Sequence, residues 1–129
     1  MAGTNTLTHY ALGNVRRINF SIVAHTDGTV PDTALPQFEG RLLALHTNPG
    51  ATAPTANYDI TLEDADGLDR LQSVGLNRHT TSSEQVPVVY AATSAHPPVS
   101  RDETLTMKIA NQAVNGALIV GNLYYILGL

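Results

Sequence analysis

From Asn57 the chain alternates with a period of two and then reverses. Tyr58, Ile60 and Leu62 fall on one face, Asp59, Thr61 and Glu63 on the other, and Asp64-Ala65-Asp66-Gly67-Leu68-Asp69 supplies an Asp/Gly turn. Successive side chains of an extended backbone point to opposite sides, so this pattern describes a half-buried antiparallel strand and its reversal. The same period recurs from Val15 to His25, where Ile18, Phe20, Ile22 and Ala24 alternate with Arg17, Asn19, Ser21 and Val23. It returns from Thr104 to Ala110, with Leu105, Met107 and Ile109 inward, and again from Ala117 to Leu127.

The remaining elements are weaker. Phe38 to His46 holds the short apolar run Leu42-Leu43-Ala44-Leu45, which the flanking Pro36, Gly40 and Pro49-Gly50 favour as a strand over a helix. Glu84 to Tyr90 reads as a strand that Pro87 confines to an edge or bulge. Pro31 to Pro36, Thr47 to Ala56 and Ala91 to Arg101 read as loops. One short helix is admitted over Leu68 to Leu76, capped by Asp66. Asn115-Gly116 predicts a hairpin between the last two strands. Residues 1–14, small and polar, read as an extended N-terminal arm, and 15–129 as a single domain. The expectation is an all-β, single-domain antiparallel β-sandwich or small barrel, jelly-roll-like, of six to eight strands.

At 129 residues the chain has room for one modest core. Its charged fraction of 14% lies well below the roughly one quarter usual for soluble domains. A single lysine, Lys108, stands beside six arginines, in keeping with surfaces that desolvate on assembly. The net charge of −4 argues against nucleic acid as a partner, since phosphate binding needs a basic stripe. No signal-peptide pattern precedes the domain, and the longest apolar run, broken at Gly121-Asn122, is too short for a bilayer. The expected product is soluble, made in a cytoplasm and without a membrane partner. With no cysteine, thiolate catalysis and zinc-thiolate sites are excluded.

No catalytic constellation emerges, so the chain reads as non-enzymatic and without a cofactor. Asp64, Asp66 and Asp69 around Gly67 are a weak calcium candidate; Leu62 stands where the first ligand belongs and no bidentate glutamate follows. A turn whose acids cap its own amides is the preferred reading. The five histidines, His9, His25, His46, His79 and His96, show no metal-binding spacing. Asp59, Glu63, Glu84 and Glu103 fall at outward or turn positions, as solvated acids do. No serine lies in a nucleophile elbow.

The run Asn57-Tyr58-Asp59-Ile60-Thr61-Leu62, then Asp64-x-Asp66-Gly67-x-Asp69, resembles a segment of small virion structural proteins of tailed bacteriophages. Leu76-Asn77-Arg78, Glu84-Gln85-Val86-Pro87, Thr104-Leu105-Thr106-x-x-Ile109-Ala110-Asn111 and the closing Leu123-Tyr124-Tyr125 continue the likeness, over residues 53–127. The resemblance is greatest to capsid decoration (cement) proteins. It implies a β-rich subunit on the outer head surface of the virion that clamps neighbouring capsomers. Its implied partners are the major capsid protein and further copies of itself, with a trimer favoured. The contact elements expected on exposure are Met1, Thr4, Leu7, Tyr10 and Leu12 in the arm. Pro36 and Phe38 lie in one loop, Pro97 and Pro98 in another, and Tyr124 and Tyr125 on the last strand. The alternatives are a phage tail, connector or head-fibre subunit, and a small β-sandwich module binding carbohydrate or another ligand.

Overall fold

The structure is a computed structural model that describes residues 3–91 and 93–128. Among them lie nine strands and no helix: β1 (Thr4–Tyr10), β2 (Val15–Val23), β3 (Thr33–Ala34), β4 (Gly40–Pro49), β5 (Asp59–Glu63), β6 (Glu84–Pro87), β7 (Pro98–Val99), β8 (Thr106–Ala110) and β9 (Leu118–Ile126). They form two antiparallel sheets. The larger runs β1-β2-β9-β4-β6, with β7 also on β4, and the smaller runs β3-β8-β5. The sheets pack as a sandwich, and no barrel closes.

The alternation read from the sequence is the alternation observed. Ile18, Phe20, Ile22 and Ala24 are buried from β2 and its end, Ile60 and Leu62 from β5 with Tyr58 just before it, and Met107 from β8 with Leu105 just before it. Ile109 is only partly buried. Together with Leu42, Leu45, Ile119, Leu123 and Tyr125 from the large sheet they make one core. Strand β9 is central, paired with β2 along one edge and β4 along the other, which accounts for its apolar residues on both faces. The run Leu42-Leu43-Ala44-Leu45 is a strand with a bulge between Leu42 and Ala44; the register shift there departs from strict alternation. Pro87 ends β6 on the outer edge of β4, as its missing N–H requires.

Four expectations are corrected. Residues 4–10 are not a free arm: β1 pairs with β2 over its whole length. Its threonines occupy one face while Asn5, Leu7 and His9 sit half-buried on the other, a period of two hidden by polar residues on both sides. The Leu68–Leu76 helix does not form; Gln72 and Ser73 take positive φ of 55° and 66°, and the segment is a chain of turns. Strands β3 and β7, two residues each, lie inside segments read as loops.

The fourth correction concerns Asn115-Gly116, which turns the chain without making a hairpin, because β8 and β9 belong to different sheets. The buried Gln112 side chain decides this. Its Nε2 donates to Gly28 O at 2.8 Å and Val114 O at 2.9 Å, and its Oε1 accepts from Thr55 N at 2.9 Å. Those bonds hold the loop against two distant segments and carry the chain from one sheet to the other.

Phe20 and Gly121 face each other across β2 and β9. A Cβ at Gly121 would stand 2.5 Å from the Phe20 ring and 2.2 Å from His46 O. Phe20→Ala is expected to cost about 3–5 kcal/mol in urea unfolding, and Gly121→Val to prevent folding. A loss below about 1 kcal/mol at Phe20 would mean the sandwich closes without it.

Candidate functional site

Most of the acidic side chains and the histidines are tied up in local structure. Asp64 Oδ1 accepts from Asp66 N at 2.9 Å and Leu68 N at 3.0 Å, while Oδ2 takes Arg70 Nε at 3.0 Å. Asp69 accepts from Leu62 N, Leu71 N and Ser73 N, each at 3.0 Å. Asp66 contributes its backbone N–H. The three residues of the calcium candidate thus act as a turn whose acids cap amides, and among the described residues no group of three His, Asp or Glu is placed to hold a metal.

Asp59 binds Asn77 N and Asn111, Glu63 pairs with Lys108 at 3.4 Å, and Glu103 with Arg70. Glu84 accepts from His79 N at 2.7 Å. The histidines are dispersed and likewise engaged. His9 Nε2 meets Tyr125 OH at 2.6 Å, His25 Nδ1 accepts from Gly3 N at 2.5 Å, and His46 Nδ1 lies 3.2 Å from Asn122 Nδ2. His79 Nδ1 accepts from Thr81 N and Ser82 N, and His96 Nδ1 is 2.7 Å from Val88 O. Burial, and then the nearby Arg16 charge, lower the pKa of His9 and favour its neutral form.

A different kind of site stands at one end of the large sheet. Gly13, at φ 79°, helps turn β1 into β2, and the register sets Tyr10, Arg17 and Tyr124 in one row across three strands. The Arg17 guanidinium lies 3.9 Å from the Tyr10 ring centroid, and its Nη1 donates to Asn122 Oδ1 at 2.8 Å. With Leu12, Val15 and Arg16 these residues line a shallow depression of about 310 Å³ that no carboxylate borders. Leu12 is 89% exposed, Val15 52% and Tyr10 48%. Leu127 is held beside them by its N–H to Asn14 O at 2.9 Å.

The next row holds polar side chains and no Asp, Glu, Lys or Arg: Thr8, Asn19, Asn122, His46 and Gln85 lie side by side across five strands. Along the registers this outer face carries no Asp or Glu; its charged residues are Arg17 and Arg41. The small sheet presents Asp59, Glu63 and Lys108 instead. A polar face without carboxylates loses less on desolvation than a charged one.

Of the expected contact residues, Tyr10, Leu12 and Tyr124 come together here. Thr4 and Pro98 are exposed elsewhere, Pro36 and Leu7 are half-buried, and Met1 lies outside the described residues. Phe38, Tyr125 and Pro97 are corrected to the interior: the Phe38 and Tyr125 rings pack with centroids 4.4 Å apart, tilted 40° to each other, within the core. Val15, Arg17 and Leu127 were missed, because a cross-strand row is invisible until the register is known. No family model, no curated protein and no solved structure matches this chain. Among the described residues no helix is long and apolar enough to cross a membrane.

Two outcomes test this account. Hydrogen bonding from the Leu68 amide, reinforced by Arg70 and opposed by partial desolvation, holds the Asp64 carboxyl below its ordinary value. Its contribution is therefore present above about pH 4 and lost as pH falls through its lower folded value. Asp64→Asn should reduce stability at neutral pH, with the difference from the parent fading in acid. Millimolar calcium should leave the melting temperature unchanged, and a rise of several degrees would overturn the capping account. Burial pushes the Tyr58 hydroxyl up to about 12 against the nearby Arg78 charge. Its stabilising effect is complete below 10 and lost as pH climbs through 12. Ultraviolet titration should find a late tyrosinate that Tyr58→Phe removes.

Proposed function

We propose that this chain is a non-enzymatic structural subunit of a phage virion, a decoration protein that lies on the outer head surface and stabilises contacts between capsomers. The observation that carries the reading is the carboxylate-free outer face of the large sheet, ending in exposed Tyr10, Leu12 and Val15. The resemblance of residues 53–127 to small virion proteins points the same way. So does the engagement of the acids and histidines in local structure, which leaves little polar chemistry for a substrate.

The physical task fits the surface. A cement subunit adds buried area across joints, and many copies of one moderate contact multiply by symmetry. Aromatic and arginine side chains such as Tyr10, Arg17 and Tyr124 are the types that dominate interface energetics. The proposed partners are the major capsid protein and another copy of this chain. The resemblance favours a trimer; the chain's own free strand edge points to a different symmetry, argued below.

The test is a binding isotherm on assembled heads that lack the protein. The parent should saturate at a fixed ratio to the major capsid subunit. Tyr10→Ala with Leu12→Asp should weaken binding at least about tenfold at unchanged melting temperature. Binding to tails or to the portal vertex instead would transfer the protein to the tail, connector or head-fibre alternative. Indifference to every virion part, with binding to a glycan array, would replace the reading by a carbohydrate-binding module.

A further inference from the structure

Among the described residues, every long sheet edge is closed except one. The outer edge of β5 is taken by the turn segment that follows it, where Ile60 N donates to Gly75 O at 2.8 Å and Arg70 N to Leu62 O at 2.7 Å. Strand β6 is four residues long and ends in Pro87, and β3 and β7 have two residues each. Strand β1 is the exception. It has seven residues in unbroken register with β2, and no proline, bulge or acidic or basic residue other than His9. Natural sheets ordinarily blunt such an edge with lysine, proline or a bulge, because it is a template for another strand.

The ladder shows which groups the edge offers. Ala24 N donates to Ala117 O and Leu127 N to Asn14 O. Even-numbered positions of the β2 strand line therefore bond towards β9, and odd-numbered ones bond β1. Thr4, Thr6, Thr8 and Tyr10 turn their backbone groups to β2. The N–H and C=O of Asn5, Leu7 and His9 point to the open side, where no backbone partner meets them among the described residues.

We propose that β1 pairs antiparallel with β1 of a second copy of this chain, about a two-fold axis at Leu7. The offered triplet is symmetric about that residue. Leu7 meets its own counterpart and Asn5 meets His9 of the second copy, each pair exchanging N–H···O bonds in both directions. The faces agree as well, with Thr6 opposite Thr8 and Thr4 opposite Tyr10 on the outer side. No like charges are brought together.

The side chains of the edge are already anchored within their own chain, so the edge is held ready to pair. Asn5 donates its amide to Pro31 O and Thr33 Oγ1, and His9 Nε2 meets the buried Tyr125 OH at 2.6 Å. Two-fold pairing also joins the two outer faces into one continuous surface free of carboxylates. The proposal stands apart from the decoration reading.

The test combines mass and exchange on the full chain. Sedimentation at tens of micromolar should give twice the 13.7 kDa chain mass. Thr6→Lys with Thr8→Lys, both exposed, sets ammonium groups opposite each other across the axis and should give a monomer. Thr6→Glu with Thr8→Lys sets opposite charges there and should restore the dimer. Hydrogen exchange should be slowed at least about tenfold at the Asn5, Leu7 and His9 amides of the parent relative to the double-lysine variant. The Thr4, Thr6 and Thr8 amides should be equal in both. A monomeric or trimeric parent, or a dimer whose Asn5, Leu7 and His9 amides exchange as fast as in the double-lysine variant, overturns the proposal. A monomer that still saturates heads ends the pairing and leaves decoration standing; a dimer indifferent to heads does the reverse.

Discussion

Strand β9 is the constraint on which the rest of the structure depends. It is hydrogen-bonded along both edges, to β2 and to β4, and its inner face supplies Ile119, Leu123 and Tyr125 to the core. Gly121 lets the Phe20 ring and the β4 backbone close over it at distances a side chain would forbid. Because β9 occupies one edge of β4, the short strands β6 and β7 are left to share the other. The Gln112 side chain then delivers the chain from the small sheet into β9. Non-local pairing of this kind dominates the fold, so most of its stability is stored in contacts between distant segments.

Polar chemistry is spent on the turns. Asp64 and Asp69 between them satisfy four backbone amides in the segment that follows β5 and that of Leu62 within the strand. That segment in turn covers the edge of the small sheet, with Gly75 approaching Ile60 so closely that a Cβ would meet its oxygen at 2.2 Å. The acids concentrate on the small-sheet side and its loops. The outer face of the large sheet is left without carboxylates, with Asn122 hydrogen-bonded to Arg17 and Asn19 and in contact with His46 at its centre. A low charged fraction and a carboxylate-free face are therefore one fact seen at two levels. Strongly hydrated charged groups are depleted at the cores of protein interfaces.

Much of this was legible in the chain. Periods of two around Ile18, Ile60 and Met107 identified three principal inward faces, because alternation is a local property of extended backbone, while the last strand, apolar on both faces, showed its extent but not which face turns inward. The proline rule placed β6 at an edge. The capping role of Asp64 and Asp69 followed from acids flanking a glycine turn without a calcium ligand pattern. The misreadings share one cause: each depended on a partner distant in sequence. β1 looked unstructured because its threonines and asparagine carry little hydropathy contrast, and only pairing with β2 orders them. The Asn-Gly turn promised a hairpin, and a buried glutamine overruled it. Phe38 looked like loop surface, and only packing against Tyr125 buries it.

The sequence by itself determined that the chain is β-rich, where its main strands run and which of their residues face inward, since those depend on neighbours one or two positions away. It also determined the shortage of charge. Only the tertiary structure decided which strands share a sheet, that Tyr10, Arg17 and Tyr124 form one row, and that β1 is the edge left open. The physical reason is register: a hydrogen-bonded ladder aligns residues a hundred positions apart, and nothing within either strand states which partner it will meet.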